Sequence, residues 1–552
     1  MKAISTQKKR WFGLLVVVLP LLVIGATVWV EDSKVPADFL GSQWMWFSGS
    51  LLAFLPIWLM GLFFRPKVMS RLVSEGIEWV LMIGGILQAC YGLGQIMGMC
   101  TSGHSLFLLT GSFYNPGPYS GYLAAMLPLS VYHYHTARKL SGCVNRVKYY
   151  VALLSLFLIV CVLPAGMSRA AWLAASLSCL YVIGRIYATR LKSFLWKHKC
   201  LALTALLLML LAGVSAYFMK QASADGRLLI WKVCMQLIAD HPWGNHQAGT
   251  FSSLYGQAQE DYFSDNTYTA SDVWVAGTPD FAFNEFVQLA VEQGVGVTFL
   301  FVLLLLFLLY AAGKKSHLIG LGGTLVSLMV FASFSYPLHL PGLVSVWVLV
   351  GLSLIGEEVV RCNQRGWAVG VALLVGLYCV KTYRIYSERT TAVREWKSVR
   401  FFYQSGSYRS AADNSRKLFD RMKWHKEFCF EYGRALYLSQ CYAEAEQVLL
   451  TALDVSGDPM ILNLLGRNAQ DAGNYEEAEK FLLRAARRVP ERIYPHYLLV
   501  KLYSNPAFFQ KERLITEANF VLFHKEKVSS TAVREMRQDV RKILKETLGI
   551  IR

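Results

Sequence analysis

Among the 11 cysteines there is no C-x-x-C pair, and several, such as Cys161, Cys179 and Cys379, lie inside apolar runs. This argues against a zinc knuckle or dithiol centre and reads as small buried hydrophobes. Charge is also scarce. Asp, Glu, Lys and Arg make up 17% of the chain against 54% hydrophobic residues, a more apolar balance than that of soluble globular chains. Before about Thr382 the charges fall between apolar runs, and afterwards they recur every few positions. No nucleic-acid motif accompanies the net charge of +18, so no nucleic-acid partner is expected. Ionisable residues are also few in the middle of the apolar runs, which argues against a glycolipid transporter.

What is present is a series of bilayer-length stretches. Eleven can be read, near 11–30, 45–63, 78–98, 119–134, 149–166, 170–187, 200–218, 285–311, 318–335, 341–356 and 366–380. The first follows Lys8, Lys9 and Arg10 and reads as a retained helix, since no convincing cleavage site follows it. The loops alternate in charge. Arg65/Lys67/Arg71, Arg138/Lys139/Arg146/Lys148 and Lys314/Lys315 fall on one side, whereas 31–44, 99–118 and 219–284 hold few cations. The positive-inside rule then places the N-terminus in the cytoplasm and 219–284 outside. The last stretch, Gly366 to Val380, is short, and only if it spans is the C-terminal region external as well. The expected domains are a polytopic membrane domain over 1–381, with the large loop 219–284, and a helical domain over 392–552.

The helical domain shows self-similarity near a 34-residue period. One unit carries Gly466, Gly473, Tyr475, Ala478, Leu482, Ala485 and Pro490, and the preceding one Gly433, Tyr442, Ala445, Leu449 and Ala452. A degenerate copy has Gly406, Tyr408 and Ala411, and 495–550 reads as a divergent helical cap. The pattern resembles the tetratricopeptide repeat, an α-solenoid whose groove can take a peptide or protein partner.

The loop 219–284 is longer than a passive connector needs to be. Its aromatic residues, Trp231, Trp243, Tyr255, Tyr262, Phe263, Tyr268 and Trp274, suit a sugar ligand, or else a lid that packs on the bundle. Four further features share the external side. The run G-S-F-Y-N-P-G-P-Y-S-G-Y from Gly111 contains Tyr114 and Asn115 as candidate glycan or acceptor contacts. Ser168-Arg169 puts a cation near the hydrocarbon boundary. Asp225-Gly226-Arg227 opens an amphipathic stretch, and Phe283-Asn284-Glu285 precedes Glu292-Gln293-Gly294. Two external arginines suit a phosphate-rich substrate, because a guanidinium grips phosphate bidentately and keeps its charge. With an aromatic loop and a lipid-embedded bundle, this points to a glycan linked to a polyprenyl diphosphate.

These motifs, together with S-R-A-A-W at 168–172, H-P-W-G-N at 241–245 and N-E-F-x-Q-L-x-x-E-Q-G-V-G from Asn284, resemble the O-antigen ligase and Wzy-type polymerase superfamily, which includes bacterial O-oligosaccharyltransferases. The resemblance spans roughly 100–356. It implies an all-α, GT-C-like bundle in the bacterial inner membrane. It also implies glycan transfer from undecaprenyl diphosphate to lipid A core, another glycan or a protein on the periplasmic face, with neither nucleotide sugar nor metal or other cofactor. Carried over by position, Arg169 and Arg227 bind the diphosphate. His246 and Trp243, from the loop itself, are further candidate glycan or acceptor contacts. Many members have His-Asn where this chain has Phe283-Asn284. Glu285 is the first substitute for that histidine, followed by Asp280, His246 and His339, with Asn284 retained. The alternatives are a polysaccharide polymerase and a non-catalytic envelope-assembly scaffold.

Overall fold

A computed structural model describes the chain apart from residues 1–15, 37–38, most of 201–216, 245–248, 266–267, 363, 528–529 and 550–552. The candidate His246 and most of the stretch near 200–218 lie outside the described residues. Among the described residues every regular element is a helix. The chain forms two compact units. One draws on the chain up to Ala216, Phe283–Phe286 and Thr298–Thr391, the other on Tyr217–Ala282, Val287–Val297 and Ala392–Arg552. The loop 219–284, grouped on sequence with the membrane domain, thus folds with the C-terminal helices.

The first unit contains α1 (Val16–Trp29), α2 (Gly41–Phe64), α3 (Pro66–Ile96), α4 (Pro116–Ala137), α5 (Cys143–Val162), α6 (Arg169–Ile186) and α7 (Ala188–Lys197). After the loop helices α8 (Gln221–Asp240), α9 (Phe251–Tyr262) and α10 (Ala270–Val275) come α11 (Glu285–Gln293), α12 (Val295–Gly313), α13 (Ile319–Ala332), α14 (Pro341–Cys362) and α15 (Arg365–Gln404). Six described helical segments are long and apolar enough to cross a bilayer: α2, α3, Cys143–Gly166, α12, α14 and α15. The chain is a multi-pass membrane protein.

Three of the expected stretches differ from their reading for local reasons. α4 carries Tyr119, Ser120, Tyr122, Ser130, Tyr132 and His133, all buried, because it packs against α3, α5, α6 and α13 at the centre of the bundle. Its polar groups are satisfied inside, as when the Tyr119 hydroxyl donates to the Gln88 carbonyl (2.9 Å) and Ser130 to Ser155 (2.9 Å). The run 285–311 is not one helix. Gly294, at φ +89°, separates α11 from α12, and the Val295 N–H donates to the Pro242 carbonyl (2.9 Å). The short last run extends well past Lys381, since no helix breaker follows, and α15 is one 40-residue helix. Cys379 is buried as read, but Cys161 is exposed on the bundle surface, where a lipid-facing side chain needs no protein around it.

Carboxylates inside this unit are paired. Glu78 meets Lys148 and His133 (3.2 Å), and Glu357 meets Lys315 and the Ser70 hydroxyl (2.6 Å). Removing one partner of such a pair leaves an uncompensated buried charge. α12 turns Phe299, Leu300, Leu303, Leu304 and Phe307 outward, the surface a lipid-facing helix presents. Topology is testable at two exposed positions. A cysteine at Ser271 in a cysteine-free background should react with an impermeant maleimide from outside, and one at Ser141 should not. The reverse result would invert the orientation. Ser253 is unsuitable, because it is buried and bonded to the Leu453 carbonyl.

In the second unit the loop helices α8–α10 join α16 (Tyr408–Met422), α17 (Lys426–Leu438), α18 (Tyr442–Val455), α19 (Pro459–Asp471), α20 (Tyr475–Arg488), α21 (Ile493–Tyr503), α22 (Lys511–Phe523) and α23 (Thr531–Leu548). Successive helices pack on one another from α16 to α23. A β-carbon at Gly433 would come within 2.5 Å of Leu449, and one at Gly466 within 2.6 Å of Leu482. Each glycine lets two helices approach, and the buried Ala445, Ala452, Ala478 and Ala485 do the same.

Candidate functional site

In the first unit, Phe283 adopts a left-handed φ of +52°, an unfavourable conformation for an aromatic residue. The turn aims its ring at Tyr336 (5.8 Å). Asn284 Oδ1 then accepts the Phe286 N–H (3.0 Å) and caps the start of α11. The next residue, Glu285, is buried. Its Oε1 accepts the Leu338 N–H (2.5 Å) and lies 3.5 Å from His339 Nδ1. His339 belongs to the 3-10 turn Pro337–His339 that leads into α14, and its side chain stays about one-third exposed. Three candidates from the sequence, Glu285, Asn284 and His339, therefore meet although 54 positions separate Glu285 from His339.

The neighbouring motifs adjoin this turn. A β-carbon at Gly342, at the start of α14, would lie 3.4 Å from the Phe113 ring. Two residues on, Asn115 caps α4 by accepting the Gly117 N–H (2.9 Å). Tyr114 is exposed, its ring 5.1 Å from that of His104. Gly166 abuts the Ser120 hydroxyl, where a β-carbon would sit at 2.1 Å. This close approach sets the 3-10 turn 163–166 against the first turns of α4. After Met167 in the left-handed region, Ser168 caps α6 through the Ala171 N–H (3.4 Å), and half-buried Arg169 is its first residue. A cation at a helix N-terminus adds to the positive end of the dipole, an arrangement that favours an anion.

The second unit holds Arg227 and Trp243. Arg227, half-buried, lies near the start of α8, two residues past Asp225, whose Oδ1 accepts from the Tyr217 hydroxyl (2.5 Å). One turn on, Trp231 Nε1–H donates to the Ala282 carbonyl (2.9 Å). Gln288 and Glu292, four apart on one face of α11, hold the loop near its middle and at its C-terminal end. Gln288 accepts the Ala282 N–H (3.1 Å) and Glu292 the Phe251 N–H (3.2 Å). Trp243 is 83% exposed. Gly244 and Gly294 carry φ of +70° and +89°, and a β-carbon on either would sit 2.6 or 2.4 Å from the other segment's backbone. Only glycine serves here. Gly244→Ala should cost about 1–3 kcal/mol, measured as a lower Tm of the solubilised protein.

The loop aromatics depart from the sugar-platform expectation. Tyr255, Tyr262 and Phe263 are buried, closing the loop's own core. The Tyr262 hydroxyl donates to Asp272 (2.9 Å) and receives from Lys232 Nζ (2.5 Å). Burial would raise the Asp272 carboxyl, but the Thr269 N–H and the Tyr262 hydroxyl hold it below its usual value. Asp280, a candidate base on sequence, pairs with Lys426 instead.

Glu260 was not legible as a key residue. It accepts from Arg484 Nε (3.0 Å) and from Arg488 Nε (2.7 Å) and Nη2. Arg488, which reads on composition as surface charge, is 1% exposed. Burial pulls its guanidinium down from the usual value and Glu260 opposes that. A signal was present: Arg488 continues the 478–482–485 spacing of the buried face of α20.

Residues 154–302 match the model of the O-antigen ligase family. The match takes in Ser168–Trp172, Asp225–Arg227, His241–Gly244 and the run from Asn284. It supports the O-antigen ligase superfamily, membrane proteins of glycan transfer, and a glycosyltransferase-like activity in general terms. No curated protein matches the chain.

Proposed function

We propose that the chain transfers an oligosaccharide or polysaccharide from undecaprenyl diphosphate to an acceptor hydroxyl on the periplasmic face of the inner membrane, as an O-antigen ligase does. The observation that carries this reading is the family match over 154–302, in which an arginine opens α6. The acceptor oxygen attacks the anomeric carbon, the bond to the diphosphate oxygen breaks, and the diphosphate leaves with the electron pair. Arg169 and Arg227 stabilise the charge that grows on it. His339 accepts the hydroxyl proton, the resulting imidazolium facing the Glu285 carboxylate. Trp243, Tyr114 and Asn115 contact the glycan or acceptor. The helices after Ala392 are tetratricopeptide-like repeats that support the loop and take a macromolecular partner. The acceptor class is lipid A core, a glycan or a protein.

Arg227→Ala should lower transfer by about 10²–10³-fold at unchanged protein level. Arg227→Lys should restore little, since an ammonium lacks the bidentate fork. The assay is purified protein in lipid with labelled undecaprenyl-diphosphate glycan. Full activity of the alanine variants at both Arg227 and Arg169 would overturn diphosphate binding by these residues.

A further inference from the structure

The second unit encloses a cleft of about 550 Å³, within the size range of small-ligand pockets. The loop forms one wall through Ser252, Thr278 and Asp280. The end of α15 and the helix α17 form another, and Ser456 and Asp458, between α18 and α19, lie at its margin. Two of the lining residues, Phe430 and Ile461, are apolar, so a lipid chain or an amphipathic helix finds little to bury against.

Three cations stand against four carboxylates. Arg400, Lys426 and Arg434 face Asp280, Glu427, Glu431 and Asp458. Two of the three cations already have partners: Arg400 pairs with Glu431 (2.8 Å) and Lys426 with Asp280. The third, Arg434, acts on the Tyr403 hydroxyl. A phosphate or a peptide carboxylate would meet four carboxylates and two cations already paired, and a cation would meet guanidinium groups. A neutral ligand with many hydroxyls would break neither pair, because a hydroxyl both donates and accepts. Fixed guanidinium–carboxylate pairs offer such a ligand a donor beside an acceptor, and the rings of Tyr403 and Phe430 can cover a sugar's C–H face.

We infer that this cleft, walled by the loop and the first helices after it in the unit, binds a neutral stretch of saccharide chain away from Arg227. The inference rests on the proposed function for the identity of that saccharide. Its role is to hold the glycan's distal sugars.

The test uses the full-length protein in lipid nanodiscs. The probe is the oligosaccharide released by mild acid from the cell's own lipid-linked glycan pool, read by saturation-transfer NMR. Glu427 and Arg434 are exposed, so replacing them leaves the core intact. Wild type should bind, Glu427→Ala and Arg434→Ala should each weaken binding about tenfold, and Arg227→Ala should bind as wild type does. Transfer of the long glycan should show a raised KM in the two cleft variants, with transfer of a single-repeat donor unchanged. No binding by wild type, or binding indifferent to both cleft substitutions, would overturn the inference even if transfer proceeds. So would binding of an uncharged Gly-Asn peptide in place of the saccharide. Saccharide binding with cleft dependence but no transfer by wild type would sink the proposed function and leave the cleft assignment standing.

Discussion

Replacing His339 by alanine is expected to lower glycan transfer by about 10²–10⁴-fold, the range for loss of a general base. The expectation follows from the turn at Phe283. Glu285 Oε1 is fixed by the Leu338 N–H (2.5 Å), so its position does not depend on the imidazole 3.5 Å away. A carboxylate 3.5 Å from Nδ1 stabilises the imidazolium that forms when Nε2 takes a proton. Glu285→Gln keeps an acceptor for the Leu338 N–H and loses the charge. It should fold as wild type does and lose less activity than His339→Ala. The measurement is single-turnover transfer of labelled glycan, with donor binding measured separately. His339→Ala with wild-type turnover would remove the base. Turnover and donor affinity falling together would recast His339 as a substrate contact.

Much of this site was legible in the sequence as motifs. Asn115 before Pro116 and Ser168 before Arg169 belonged to motifs singled out for other reasons, and both cap helices. Gly244 and Gly294 belonged to recognisable motifs, although their mutual approach was not predictable from either alone. The match between Glu285 and His339 was visible only as two names among four candidates, since no periodicity relates residues on different helices. Helix counting is a different matter. Hydropathy reads 119–134 as a bilayer-length stretch, yet α4 carries tyrosine, serine and histidine side chains that its neighbours bury. The run 285–311 reads as one bilayer-length stretch, yet Gly294 divides it. The loop was the largest surprise. Its aromatic residues looked like ligand platforms, but Tyr255, Tyr262 and Phe263 close the loop's own core, and α9 shares a core with α18 and α20, which composition alone cannot assign.

That shared core sets the expected result of removing residues 392–552: transfer should be lost, not merely weakened for large acceptors. α8, which carries Arg227, packs on α9 and α10, and α9 in turn packs on α18 and α20. The contacts are close. Gly256 and Gly457 approach so nearly that a β-carbon on Gly256 would lie 2.8 Å from the Gly457 α-carbon, and Ser252 Oγ accepts the Gly457 N–H (3.2 Å). The Gln259 amide donates to the Arg488 carbonyl. Glu260 is held by Arg484 and Arg488 in a site where Arg488 is 1% exposed. Point substitutions separate this account from a general loss of folding. Arg488→Met leaves Glu260 with Arg484 alone and should cost about 3 kcal/mol, the lower end for breaking a buried pair. The loop should then become sensitive to trypsin at Arg227 and Lys232. Pairing Arg488→Met with Glu260→Leu removes both charges and should recover most of the stability, because an apolar replacement of a buried pair is often neutral. Limited proteolysis and Tm of the nanodisc-embedded protein measure both effects, and transfer should follow loop protection across the series. A stably inserted truncation before residue 392 that still hydrolyses or transfers the lipid-linked glycan would show that the loop stands without the repeats, and would return them to the role of recruiting an acceptor.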